Sequence, residues 1–327
     1  MKTIVYVGKK LIGFLLSVFL LSGAVFFISR MTPVDPLVSY YGERVEKMSP
    51  AEKELAREKL GLNDPIYVQY GRWIANVAQG DFGISYQYKQ PVVEVISQRI
   101  GNTLLLGGIS AVLTFTLALG LGLLCAWFED RWLDKLLCKA GTLVSCIPEF
   151  WLSLVLILVF SVALQWLPSS GAYSVGNQDD VADRLIHLIL PVTASTAGHL
   201  WYYAYLIRNK LLEETRADYV QLEIAKGVGK GRILLAHCLP NALPSYISMM
   251  AVSVPHIIGG TYLVEMVFSY PGIGTLSYES ARYGDYNLLM LLCLMTGAVV
   301  MFCNLLGSIL NERIDPRIKE TAAEVTD

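Results

Sequence analysis

Apolar residues gather along this chain in long runs, not in the short alternating pattern of a half-buried strand or the narrow stripe of a surface helix. Six runs come close to or exceed the roughly 20 residues that a helix needs to cross bilayer hydrocarbon: 11–28, 103–128, 136–164, 186–207, 243–268 and 288–310. Pro148 breaks the third, Pro191 lies near the start of the fourth, and Pro255 sits inside the fifth. Prolines in membrane helices are tolerated where neighbouring helices or a cavity satisfy the freed carbonyls. The first run is longer than a signal-peptide core, and Val25–Ile28 continue it past the small residues Ser22, Gly23 and Ala24. It is therefore expected to stay as a helix.

The stretch 31–99 is too polar for a membrane and too patterned for a linker. Ser49, Pro50 and Glu52 read as an N-cap, a proline at the first helical position and an acidic first turn, with Gly61 as the stop. Asn63-Asp64-Pro65 and Gly80-Asp81-Phe82-Gly83 are turns. Between them, Tyr70, Trp73, Ile74 and Val77 recur at helical spacing, a face suited to the membrane interface. A short helix over 92–100 is expected to run on into the second apolar run. This segment reads as a cap over the spans and as part of a docking surface for an external partner, two roles that are compatible.

Charge then sets direction. Loop 129–139 carries Arg131, Lys135 and Lys139, and loop 208–241 carries Arg208, Lys210, Arg216, Lys226, Lys230 and Arg232. The tail adds Arg313, Arg317 and Lys319. Loop 165–185 has Arg184 against Asp179, Asp180 and Asp183, and loop 269–287 has Arg282 against Glu279 and Asp285. Basic short loops stay in the cytoplasm, so both termini and loops 129–139 and 208–241 are expected there. Only 17% of residues are charged and the mean hydropathy is +0.47, well below the charge of a typical soluble domain. A net charge of −2 speaks against a nucleic-acid partner. The six cysteines lie in or beside apolar runs with no CxxC pair, which suits buried free thiols.

Loop 211–241 is larger than a reconnection needs. Residues 211–226 read as a helix with Glu213, Glu214, Arg216 and Lys226 solvated, closed by Gly227 and Gly229. Ile233, Leu234 and Leu235 resume an apolar helical rhythm over 231–239, and Pro240 and Pro244 are expected to break the chain before the fifth run. The expected shape is helix, glycine turn, helix, facing the cytoplasm.

That segment resembles the EAA loop of permease subunits of bacterial ATP-binding-cassette importers: Glu-Ala-Ala, three residues, Gly, nine residues, Ile-x-Leu-Pro. Gly227 takes the glycine position and His237-Cys238-Leu239-Pro240 the last four, while Gln221-Leu222-Glu223 replaces Glu-Ala-Ala. Further landmarks resemble the peptide and nickel branch of that family. They include residues 30–36, Leu60-Gly61-Leu62-Asn63-Asp64-Pro65, Tyr67-Val68-Gln69-Tyr70 and Gly80-Asp81-Phe82-Gly83-Ile84-Ser85. Trp166-Leu167-Pro168-Ser169-Ser170-Gly171, Glu265 with Tyr270-Pro271-Gly272-Ile273-Gly274, and Asp315-Pro316-Arg317 complete the order.

The resemblance implies an all-α, six-span polytopic membrane protein of the type I importer kind. Its parts would be a first helix at 1–30, an extracytoplasmic subdomain at 31–100, a five-helix core at 101–310 with a coupling loop at 211–241, and a cytoplasmic tail at 311–327. It implies residence in the bacterial cytoplasmic membrane beside a second homologous permease, two ATPase subunits and an extracytoplasmic substrate-binding protein. Gln221, Leu222, Glu223, Ala225, Lys226, Gly227, Leu239 and Pro240 are the implied coupling residues. The implied cargo is a peptide or nickel, free or chelated. ATP and magnesium belong to the partner subunits, and this chain is expected to hold no cofactor.

Ionisable residues in spans are functional candidates. Glu149 after Pro148, His199, His256 after Pro255, and Glu265 qualify, as pathway contacts or as packing and loop anchors. Glu149, placed toward the cytoplasm, is positioned to meet the coupling loop or cap a broken helix. A metal cage is not expected, since a permease must release its cargo. Gly227-Val228-Gly229-Lys230-Gly231 lacks the spacing and hydroxyl of a phosphate loop, so ATP hydrolysis must come from elsewhere. A stand-alone secondary transporter or channel would call for an internal repeat, and none is present. An intramembrane enzyme would call for a metal motif or a built Ser/His pair, whereas Ser195 and His199 share only a helical face.

Overall fold

The computed structural model describes residues 2–31, 36–42 and 44–314. Among them the chain is helical, with a single isolated bridge between Ile84 and Pro91. The helices are α1 (Lys2–Met31), α2 (Pro36–Tyr41), α3 (Arg44–Lys47), α4 (Pro50–Lys59), α5 (Ile66–Ala78), α6 (Val92–Trp127) and α7 (Trp132–Ser145). There follow α8 (Glu149–Leu156), continued as a π-helix over Ile157–Ala163, α9 (Val181–Thr215), α10 (Asp218–Ala225) and α11 (Lys230–Arg232). A second π-helix, Ile233–Cys238, leads into α12 (Leu239–Val267), and α13 (Ile273–Tyr283) and α14 (Tyr286–Ile314) complete the order. The landmark residues 32–35 and 315–317 and the tail lie outside the described residues.

Among the described residues four helices are long and apolar enough to cross a membrane: Lys10–Met31, Val92–Trp127, Lys230–Val267 and Tyr286–Gly307. The 92–100 helix does run into the second apolar run. The third expected span is a pair of helices, Trp132–Ser145 and Glu149–Ala163, turned by 96° at the proline, and counts as a fifth span only if taken as one. The fourth expected span falls within α9, which does not reach the hydropathy of a lipid-facing helix. Arg184, His187, His199 and Arg208 interrupt its apolar residues, and many of its side chains, from His187 to Leu212, are buried by protein. The expected count of six rested on apolar length alone, which cannot tell a helix buried in protein from one facing lipid.

The chain forms two compact units. The first comprises the described residues of Met1–Asn102 and Pro271–Phe302. Here Ser49 closes a capping box with Glu52, the hydroxyl accepting from the Glu52 amide at 3.3 Å and the carboxylate from the Ser49 amide at 2.7 Å. Tyr70 and Trp73 lie on the face of α5 whose spacing suggested the membrane interface, and in this unit that face has a protein partner. They pack on α1: Tyr70 lies 5.2 Å and Trp73 6.2 Å, centroid to centroid, from Phe26, and Tyr70 Oη shares a 2.8 Å hydrogen bond with Ser22 Oγ. Buried Asp285 gathers the loop before α6 by accepting from the Ser85 hydroxyl and, at 3.0 Å, from the Gln87 amide. Burial, together with the 2.7 Å hydrogen bond that Tyr88 donates to Glu279, pushes its phenol up to about 12. Val92, Val95 and Ile96 of α6 form a core with Leu276, Leu288 and Leu292.

The second unit comprises the described residues of Thr103–Tyr270 and Cys303–Asp327. Its larger core joins Phe115, Ala118 and Cys125 of α6 to Tyr203, Ile207 and Leu211 of α9 and to Ala242, Tyr246 and Ile257 of α12. Tyr246 donates its hydroxyl to the Phe115 carbonyl at 2.6 Å, which removes a lone polar group from that core.

Candidate functional site

The loop 211–241 is built from its inner face outward. Leu211, Leu212, Val220, Ile233, Leu234 and Cys238 all point into the core of the second unit. Anchored by these residues, α10 turns its other side to the surface: Gln221, Leu222, Ala225, Lys226 and Gly227 are exposed, and Glu223 is half-buried. Leu222 is 56% and Ile224 54% exposed. An apolar pair on an otherwise charged projection is the mark of a contact surface. Sequence reading passed over Ile224; the signal was an isoleucine among charged neighbours with no core role in its own helix.

Gly227 ends α10 at φ +78°, and a Cβ there would meet nothing within 4 Å. The positive φ is the requirement, and the space around it is open. Glu223 holds the turn: it takes a 2.9 Å hydrogen bond from Lys226 Nζ and lies 4.0 Å from His237 Nε2 across the turn. The Lys226 ammonium holds its carboxyl below the usual range. At Gly231 a Cβ would sit 2.8 Å from Trp127 Cη2, so the glycine lets the returning chain press onto the end of α6.

Three local expectations change. The helix expected over 211–226 is two helices: α9 ends at Thr215, and α10 starts at Asp218 after an extended Ala217. Pro240 and Pro244 do not break the chain. Pro240 sits in the first turn of α12, where it has no helical hydrogen bond to lose, and the π-helix before it absorbs the change in register. Leu239 and Pro240 therefore belong to the root of α12 and not to the exposed turn.

The root of the loop is fixed by a pair that the sequence reading missed. Asp134, at the start of α7 and 2% exposed, receives Arg208 Nε at 2.8 Å and Nη2 at 2.7 Å from α9. The Asp130 amide and the Cys138 thiol complete its shell at 3.1 and 3.4 Å. At the surface Arg216 reaches Glu129 at 3.1 Å. The forked geometry makes the inner pair a rigid latch. Cys125, Asp134 and Cys138 lie within metal-ligand reach of one another, but Arg208 already occupies both carboxylate oxygens and its charge repels a cation.

The polar residues of the spans divide. Glu265 is fully buried, accepts from Thr103 Oγ1 at 2.6 Å, and its carbonyl receives the Tyr270 amide at 2.8 Å. It is a loop anchor. His199 and His256 come together instead, while Glu149 meets α9 beside Gly198. His199 Nδ1 lies 3.0 Å from the Ser195 carbonyl, and its ring meets that of His256 edge-on at 5.9 Å. The Glu149 carboxyl faces Gly198, 3.5 Å from where a Cβ would stand. It neighbours the Ser195 hydroxyl, and among the described residues neither Glu149 Oε1 nor Ser195 Oγ has a hydrogen-bond partner beyond that contact. Glu149 thus meets α9 and not the coupling loop. His256 is exposed on α12 beside it.

Residues 118–320 match the family model described as binding-protein-dependent transport system inner membrane component, and residues 3–107 match the N-terminal model of such components. The chain belongs to this family. It is 37% identical over 299 residues to the oligopeptide transport system permease protein AppB of Bacillus subtilis (strain 168), covering 90% of this chain and 92% of that one. It is 32% identical over 314 residues to the glutathione transport system permease protein GsiC of Escherichia coli (strain K12), covering 96% and 98%. The fold is similar to that of the MetNI methionine ABC transporter in inward-facing conformations, with a TM-score of 0.56 at 17% identity over 68% of this chain and 97% of that one.

The latch sets a measurable expectation. Asp134→Ala leaves the Arg208 guanidinium buried and unpaired, and such breakage costs about 3–5 kcal/mol. Thermal unfolding of the detergent-solubilised chain should show that loss, and Asp134→Ala with Arg208→Met should recover most of it. Equal stability of Asp134→Ala and wild type would remove the latch from the account.

Proposed function

We propose that this chain is one of two homologous permease subunits of an ATP-driven importer in a bacterial cytoplasmic membrane, with peptides as cargo. The observation that carries the coupling role is the turn at Gly227, an exposed projection with an apolar face rooted in the core of the second unit. Family membership and the peptide names of the relatives favour peptides over nickel. The chain itself is a transport subunit and not an enzyme; two ATPases carrying ATP and magnesium dock on residues 221–227, and a substrate-binding protein delivers cargo to the outer face. Six spans are the count that this reading adopts, with α9 shielded by its neighbours and the bent α7–α8 pair forming one crossing.

ATP-driven closure of the ATPases pushes on Leu222 and Ile224, and the anchored face of α10 passes the displacement to α9. The latch at Asp134 then carries it into α7. Glu149, His199 and His256 form a polar lining for cargo, since an unpartnered carboxylate oxygen and an exposed imidazole are ready to meet a peptide's amides and ammonium.

Three measurements test this. A β-branched residue at φ +78° is strained by on the order of 1–3 kcal/mol, so Gly227→Val should abolish transport and binding-protein-stimulated hydrolysis at normal expression. Full uptake and normal stimulation in that variant would sink the coupling role. A cysteine replacing Lys230 should resist membrane-impermeant maleimide in intact cells; ready labelling would invert the topology. Glu149→Gln should keep complex assembly while lowering peptide uptake by about tenfold, the loss expected for one charge-assisted contact. Unchanged uptake would return Glu149 to a packing role.

A further inference from the structure

The first unit holds a cavity of about 520 Å³ for which coupling and cargo passage have no use. Arg30, Gln69, Arg72, Trp73, Tyr86 and Asn287 are among its lining residues, contributed by the end of α1, by α5, by the loop before α6 and by the start of α14. Arg30 stands where the apolar run of α1 ends. Its Nε and Nη1 are buried and have no hydrogen-bond partner among the described residues. The Phe26 and Tyr286 rings lie 5.4 and 6.0 Å from its guanidinium carbon. Ring faces attract the charge but accept no directed hydrogen bond, so two donors of a forked cation stay idle in a partly desolvated place.

The other charges on the wall are largely committed. Arg72 pairs with Asp64 at 2.7 Å, and Asp81 Oδ1 accepts from the Gly83 amide at 2.8 Å. Lys59 and Glu58 offset one another in sign. Gln69 donates to the Leu62 and Asp64 carbonyls at 3.2 and 2.8 Å, which leaves its buried Oε1 as an acceptor without a partner. The cavity therefore offers adjacent guanidinium donors and one amide acceptor. Its complement is an oxyanion with a hydroxyl close by. Leu16, Leu20 and Ile28 are 56–67% exposed, so the helix that ends at Arg30 presents apolar side chains to its surroundings.

We propose that this cavity binds the phosphodiester headgroup of an anionic membrane lipid, with Arg30 holding the phosphate, Gln69 accepting from a headgroup hydroxyl, and the acyl chains lying along α1. Arg–phosphate pairs favour this two-point geometry. The inference rests on the reading above only in that α1 crosses the bilayer, and its test does not use transport.

Native mass spectrometry of the full chain, released from detergent with the subunits that copurify, is the direct measurement. Wild type should retain phosphatidylglycerol about tenfold better than phosphatidylcholine of the same chains, and Arg30→Gln should erase that preference. Arg30→Lys, which keeps the charge and loses the fork, should fall between. If Arg30→Gln fails to give a single peak on gel filtration, Asn76→Asp decides, since a carboxylate on the exposed cavity wall should also lower phosphatidylglycerol retention. Equal retention by wild type and the folded variants overturns the site. Arg30-dependent binding of inorganic phosphate, with no lipid preference, overturns the lipid source. Transport lost with lipid binding intact, or the reverse, separates the two proposals.

Discussion

In hydrocarbon a bare amide or carbonyl has no water to turn to, so each crossing must satisfy its own backbone. That constraint explains why α1, α6, α12 and α14 run for 29 to 36 residues without interruption. It also explains where the chain departs from regular helix. The turn at Pro148 leads directly into a helix whose first turn needs no intrahelical donor, and the two π-helices keep their amides bonded while shifting register. Departures from regular helix thus fall at the bend before Glu149, at the end of α8 and at the entry into α12.

A long helix moves as a body, and α9 is held near its end by the bidentate Asp134–Arg208 pair and the outer Arg216–Glu129 pair. The pairs differ in kind. The exposed one contributes little to stability. The buried one is strong in geometry and costly to break. The first unit has a similar device, in which Asp285 and Glu279 fasten the loop before α6 through Ser85, Gln87 and Tyr88.

Hydropathy, caps and charge made much of this chain legible. The runs at 11–28, 103–128, 243–268 and 288–310 are helices because apolar length in that range has few other stable uses, and Ser49–Glu52 caps α4 because the motif is local. The glycine turn at Gly227 was likewise readable, since a positive φ there depends on its own residue. The family followed from ordered landmarks, each weak alone, whose sequence order is itself information.

What tertiary structure decided were the matters of partnership. Asp134 reads as one more loop charge until α9 brings Arg208 to it, 74 residues away. Tyr70 and Trp73 read as one face of a helix until α1 offers Phe26 and Ser22 as its partners. Pro240 and Pro244 read as breakers until a π-helix supplies the register in which they fit. How far the fourth apolar run faces its neighbours cannot be read from its length, and in the fold many of its side chains are buried against protein. Apolar length and local caps are properties of a segment and are written in its residues. Whether a charge, a ring or a proline is satisfied depends on what another segment places beside it, and only the packed chain settles that.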